Sequence, residues 1–117
     1  VGTGGNILIA GFVIRGTQPK TVLIRGVGPA LAAFGLTGVL ADPRLQLFSG
    51  TTQINENDNA TEPALATAAT SVGAFALPAG GRDAAILVTL QPGAYTAQVS
   101  GVGGTTGIGL VEVYEVP

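Results

Sequence analysis

Turn signals interrupt this sequence roughly every 8 to 12 residues, and that spacing more than any other feature limits what the chain can become. The apolar runs between breaks suit short strands. Glycine supplies 19 residues and proline 7 of the 117. Together they make about 22%, below the roughly 25 to 30% at which a chain reads as low-complexity. With 46% apolar and only 10% charged residues, the sequence is too hydrophobic for a disordered segment. No apolar run is long enough to cross a bilayer. The length suits one domain with one core, read here as a flexible tether over residues 1–5 and a single β domain over residues 6–117.

From Asn6 to Arg15 nearly every residue is apolar, which predicts a strand covered on both faces. Gly16-Thr17-Gln18-Pro19-Lys20 breaks that run, and Thr21 to Gly26 resumes it, predicting a hairpin. Pro29 to Phe34, closed by Gly35, reads as a short helical connector. Leu45 and Leu47 mark a third strand, and Gly50-Thr51-Thr52 turns into a polar strand at Gln53 to Asn55. Thr61 is placed to cap a second short helix from about Glu62 to Ser71. Ala84 to Leu90 and Tyr95 to Ser100 flank the turn signal Gln91-Pro92-Gly93 and predict a second hairpin. A glycine loop over residues 101–107 leads into a last strand within Ile108 to Val116. The sum is a mostly β chain: an antiparallel β-sandwich of about seven strands with two short helical connectors. Leu87, Val88, Val99, Leu110 and Val111 are its expected core.

Residue counts remove several chemistries. Without His or Cys there is no Ser-His-Asp triad, no Cys-His dyad and no thiolate or imidazole metal site. The basic residues Arg15, Lys20, Arg25, Arg44 and Arg82 are scattered and the net charge is −2, so nucleic acid is not an expected partner. Asp42 precedes a proline at a turn, and Glu112 and Glu115, three apart on one strand, face opposite ways; a glycosidase pair is not supported. No enzymatic activity is expected.

Four segments carry a resemblance: Gly11-Phe12-Val13-Ile14, Pro19 to Arg25, Gly38 to Pro43 and Gly93 to Gly104. Together they resemble a β-rich domain of large secreted and surface proteins of environmental bacteria. The chain also looks like the subunits of extracellular protein fibrils from environmental water. The resemblance implies a secreted or cell-surface location and a polymer building block without catalytic residues. It departs from that pattern where Ala60 follows Asn57-Asp58-Asn59, a place that commonly holds an aromatic residue. In that pattern a strand segment usually precedes the Val-Gly-Thr-Gly opening. The expectation is that it has been processed away or is supplied by another molecule.

Three kinds of site remain as candidates. Asn55, Asn57, Asp58 and Asn59, with Glu56 among them, offer the oxygen ligands calcium prefers but lack the EF-hand spacing; the plainer reading is a solvated turn. Asn59-Ala60-Thr61 matches the N-glycosylation triplet, against Thr61 as a helix cap. Tyr95 and Tyr114 are a thin platform for a sugar and are expected instead to pack at strand ends. The glycine loop has no Walker lysine and precedes a strand, so a phosphate loop is not expected.

The functional expectation follows from the N-terminal strand. Ile7, Leu8, Ile9, Phe12, Val13 and Ile14 are large apolar side chains that need a buried place. They complete the chain's own sandwich, or insert beside an edge strand of another copy and propagate a head-to-tail filament. Its partner is then a second copy of the chain. Alternatives are a calcium- or carbohydrate-binding module, with surface glycans as partners, and a passive spacer repeat; neither a resident cofactor nor insertion in a membrane is expected.

Overall fold

The computed structural model of the chain describes residues 1–78 and 80–117. Strands β1 (Leu8–Ile14), β2 (Lys20–Val27), β3 (Pro43–Ser49), β4 (Thr52–Asn57), β5 (Ala84–Leu90), β6 (Gly93–Gly101) and β7 (Leu110–Val116) form two antiparallel sheets. One has the order β1-β6-β3-β4 and the other β5-β2-β7. The mostly β, two-sheet architecture expected from the turn spacing is therefore present. The connectors are a 3-10 turn over Pro29–Phe34 and one α-helix, α1 (Pro63–Ser71).

Among the described residues only β3 and β4 are joined as a hairpin. Every other pair of successive strands changes sheet. The two predicted hairpins are thus corrected: β1 pairs with β6, while β2 lies between β5 and β7. The glycine loop after β6 likewise joins the two sheets. Turn residues mark where a strand stops but not where the next one goes, and a corner between sheets uses the same glycines as a hairpin. At Gly93, where β6 begins after two intervening residues, φ is +155°, a backbone setting that a side chain would strain.

The space between the sheets is filled by Val22, Ile24, Leu45, Leu47, Ile86, Ala97 and Val99, all buried, with Ile14 and Leu40 at its margins. A second cluster lies on the other side of the three-stranded sheet, where Leu65, Ala68 and Ala69 of α1 pack on Leu23 and Ala85. This second layer makes β2, and not β1, the strand covered on both faces: its last six residues are all buried. β1 ends the other sheet, and its burial alternates. The apolar run misled because Ile9 and Val13 face outward, while Arg25 hides the buried character of β2.

The expected core is partly corrected for the same reason. Val99 is fully buried and Val88 and Val111 border the space between the sheets. Leu87 lies on the opposite face, against the α1 cluster. Leu110 is 37% exposed, as an edge strand's outer residue. Helix α1 also begins later than expected. Glu62, not Thr61, holds the cap position in an extended conformation, and no side chain caps the helix. Pro63 sets that start, because the residue before a proline is held out of the helical region.

Candidate functional site

β1 runs beside β6 in unbroken antiparallel register from Leu8↔Val99 to Ile14↔Gly93. Period-two alternation divides the six apolar residues singled out in the sequence. Leu8 and Phe12 pack half-buried against the core and Ile14 is buried, whereas Ile9 and Val13 are 55% and 60% exposed. Ile7 lies just before the strand, half-buried. Phe12 stacks on Tyr95 with ring centroids 5.7 Å apart. The Tyr95 hydroxyl donates to the Gln91 carbonyl at 2.7 Å, so this tyrosine braces the corner before β6.

An edge strand presents unpaired backbone groups, and folded proteins blunt such edges with charges, prolines, bulges or coverings. Three of the four edges here are blunted. β4 is polar and its pairing with β3 shifts between Leu47 and Phe48. On β5 the Ala85 amide donates to Asn57 Oδ1 at 3.1 Å, and the Asp83 carbonyl just before it accepts from the Ala60 amide at 2.9 Å. β7 carries Glu112 and Glu115, the latter ion-paired to Lys20 at 3.0 Å. β1 has no charge, no proline and no register break. Beside it a cleft of about 310 Å³ opens between the sheets, lined by Phe12, Val13, Val22 and Val113 with Arg15, Lys20 and Glu115 also along it.

The Asn-rich segment hydrogen-bonds within itself and to β5. Asn57 uses Oδ1 for β5 and donates from Nδ2 to the Asn59 carbonyl at 3.2 Å. Asn55 Oδ1 accepts from the Glu56 amide at 2.8 Å, and Asn59 Nδ2 donates to Asp58 Oδ1 at 3.2 Å. Of the four calcium candidates Asn57 alone bonds across to β5, and the others bond within residues 55–59. Asn59 itself is exposed. Among the described residues no three carboxylates cluster: Asp42 faces Arg82 at 3.8 Å, Glu56 pairs with Arg44 at 2.6 Å, and Glu112 and Glu115 take opposite faces of β7.

The composition reading missed two buried charged groups, Arg25 and Asp83. Asp83 Oδ1 accepts from the Gly28 amide at 2.9 Å and the Ala30 amide at 3.1 Å, holding the turn that follows β2. Arg25, 1% exposed, is directly opposite Glu112 in the β2–β7 register, with Nε 2.9 Å from Oε1. Its Nη1 donates to the Phe75 carbonyl at 2.6 Å, and its guanidinium lies 4.4 Å from the Phe75 ring centre. Tyr114 donates to Glu112 Oε2 at 2.6 Å, and that hydrogen bond, then burial, raises the phenol above its ordinary value of 10.0. The signal was available: a lone Arg within Thr-Val-Leu-Ile-Arg-Gly and a lone Glu within Leu-Val-Glu-Val-Tyr are partners in waiting. The pair sits on a covered sheet face and joins two strands.

Comparison with protein-family models, curated proteins and solved structures finds no match for this chain.

Proposed function

We propose that this chain is the structural subunit of an extracellular bacterial filament, assembled head to tail by exchange of its N-terminal strand. The observation that carries the reading is β1: an unguarded edge strand whose partner, β6, is remote in sequence. The link to β2, residues 15–19, leads into the opposite sheet, so no hairpin ties β1 to its neighbour in sequence. When β1 of one copy pairs with β6 of the next, Leu8, Phe12 and Ile14 enter identical sockets and no contact is lost. A donor end and a separate acceptor groove make a heterologous contact, which does not close and therefore propagates. The extracellular placement is supported by the resemblance and by a composition with one lysine and no cysteine.

The test uses the register Ile9↔Gln98. Directly opposed antiparallel residues stand about 4.5 to 5.5 Å apart at Cα, within disulfide range. The chain has no other cysteine, so an Ile9→Cys/Gln98→Cys variant reports this one pairing. Oxidised as a monomer it should stay dispersed under electron microscopy and form filaments on reduction. Oxidised after assembly it should run as a covalent ladder on a denaturing gel. Filaments that yield only cross-links within one chain would remove strand exchange, and a parent chain that stays monomeric at high concentration would remove the filament reading.

A further inference from the structure

Four of the five basic side chains have an ion-pair partner: Lys20 with Glu115, Arg25 with Glu112, Arg44 with Glu56 and Arg82 with Asp42. Among the described residues Arg15 has none. It is exposed, one residue beyond the end of β1, and a period of two puts it in line with Ile9, Gly11 and Val13. The outer side of β1 is therefore an apolar stripe that ends in an unpaired cation.

A matching recess lies on the opposite side of the molecule. Between α1 and the outer face of the β5-β2-β7 sheet is a groove of about 340 Å³, with Leu23 and Ala85 in its floor and Leu65, Ala66 and Ala69 in its wall. Glu62 stands at its lip, exposed, its side chain making no cap bond and, among the described residues, no ion pair. The spacings agree: Val13 and Arg15 are about 6.7 Å apart along a strand. Glu62 and Ala66, four residues apart at the start of the helix, are separated by about 6 Å.

We infer that the groove under α1 receives the Ile9–Val13–Arg15 stripe of a second copy, with Arg15 against Glu62. This rests on the self-assembly reading and adds a second contact to it. The stripe stays on the outside of the four-stranded sheet whether β1 sits in its own subunit or in the next. Stripe and groove are on different faces, so this contact is also heterologous and open-ended. The acidic lip favours a cationic partner. Leu23, Leu65, Ala69 and Ala85 favour the apolar stripe that precedes the cation, while Arg25, which also lines the groove, is already paired with Glu112.

Charge reversal separates this contact from strand exchange, because Arg15 and Glu62 are both exposed and neither belongs to the β1–β6 ladder. Arg15→Glu and Glu62→Arg should each raise the concentration needed for assembly by about five- to tenfold in sedimentation velocity. Their circular dichroism should match the parent's. An equimolar mixture of the two variants should assemble near the parent's concentration, since every contact in an alternating polymer is again opposite in charge. A neutral apolar dye held by the dispersed chain should be released on assembly. Filaments of both variants at the parent's concentration would overturn the docking while leaving strand exchange standing. So would a mixture no better than its components, or dye retained in the filament, which would assign the groove to a small apolar ligand. A parent that never associates overturns both.

Discussion

Removing the Glu112 carboxylate should cost this chain more than any change to a surface charge. Arg25 is 1% exposed and cannot follow its partner into water. The Phe75 carbonyl and ring remain beside it, but they do not neutralise a full charge, and Tyr114 also loses its acceptor. Breaking a buried pair on one side typically costs about 3 to 5 kcal/mol. Glu112 retains 15% side-chain exposure, which places Glu112→Ala at the lower end, about 3 kcal/mol. For a domain of this size that is a fall of about 10 °C in Tm, or about 2 M in urea midpoint at a slope near 1.5 kcal/mol per M. Chemical denaturation followed by far-ultraviolet circular dichroism measures it. Arg25 Nη2 has no hydrogen-bond partner among the described residues, so the pair recovers its desolvation cost incompletely. Replacing both residues, as Arg25→Met/Glu112→Leu, should return stability to within about 1 kcal/mol of the parent or above it. If Glu112→Ala unfolds at the parent's urea concentration, Arg25 is not a buried charge and the description of this sheet face is wrong.

Core truncation should follow burial and not hydrophobicity alone: Leu47→Ala, at a fully buried position, should cost about 2 to 5 kcal/mol. Leu110→Ala, at a 37% exposed position, should cost under about 1 kcal/mol; equal midpoints for the two variants would contradict the assigned core. Alkaline stability should depend on Tyr114. Its folded value is raised above 10.0, so the hydrogen bond to Glu112 contributes fully below pH 10 and is lost as pH rises through the folded value. Tyr114→Phe should flatten that alkaline decline in urea midpoint, and an unchanged decline would show that this phenol is not coupled to folding.

Much of the strand inventory was legible because period-two alternation and turn residues are local signals. β5 has the bounds expected, Ala84–Leu90, and the turn over Pro29–Phe34 ends at Gly35, whose φ of +82° only glycine adopts freely. What escaped is long-range. Whether β1 lies beside β2 or β6 depends on residues some 80 positions away, and Gly16-Thr17-Gln18-Pro19 reads alike in a hairpin and in a corner. The candidate strand itself was visible as six apolar residues, but the division into Leu8, Phe12 and Ile14 inward and Ile9 and Val13 outward needed its place at a sheet edge. Arg25 escaped because a charge reads as solvent-facing until its partner on another strand is known.

The crossing of the chain between sheets has a consequence in time. Leu8 pairs with Val99 and Ile14 with Gly93, so the first strand made waits for nearly the last before it has a partner. At about 5 to 20 residues per second, synthesis of the intervening 80 or so residues lasts on the order of 4 to 16 s. Loop closure over that distance also makes the pairing a late event in refolding. A nascent or refolding chain thus has β1 complete long before β6, the strand it pairs with. Under the proposed exchange, a refolding subunit would offer β1 to a second copy before its own β6 can take it.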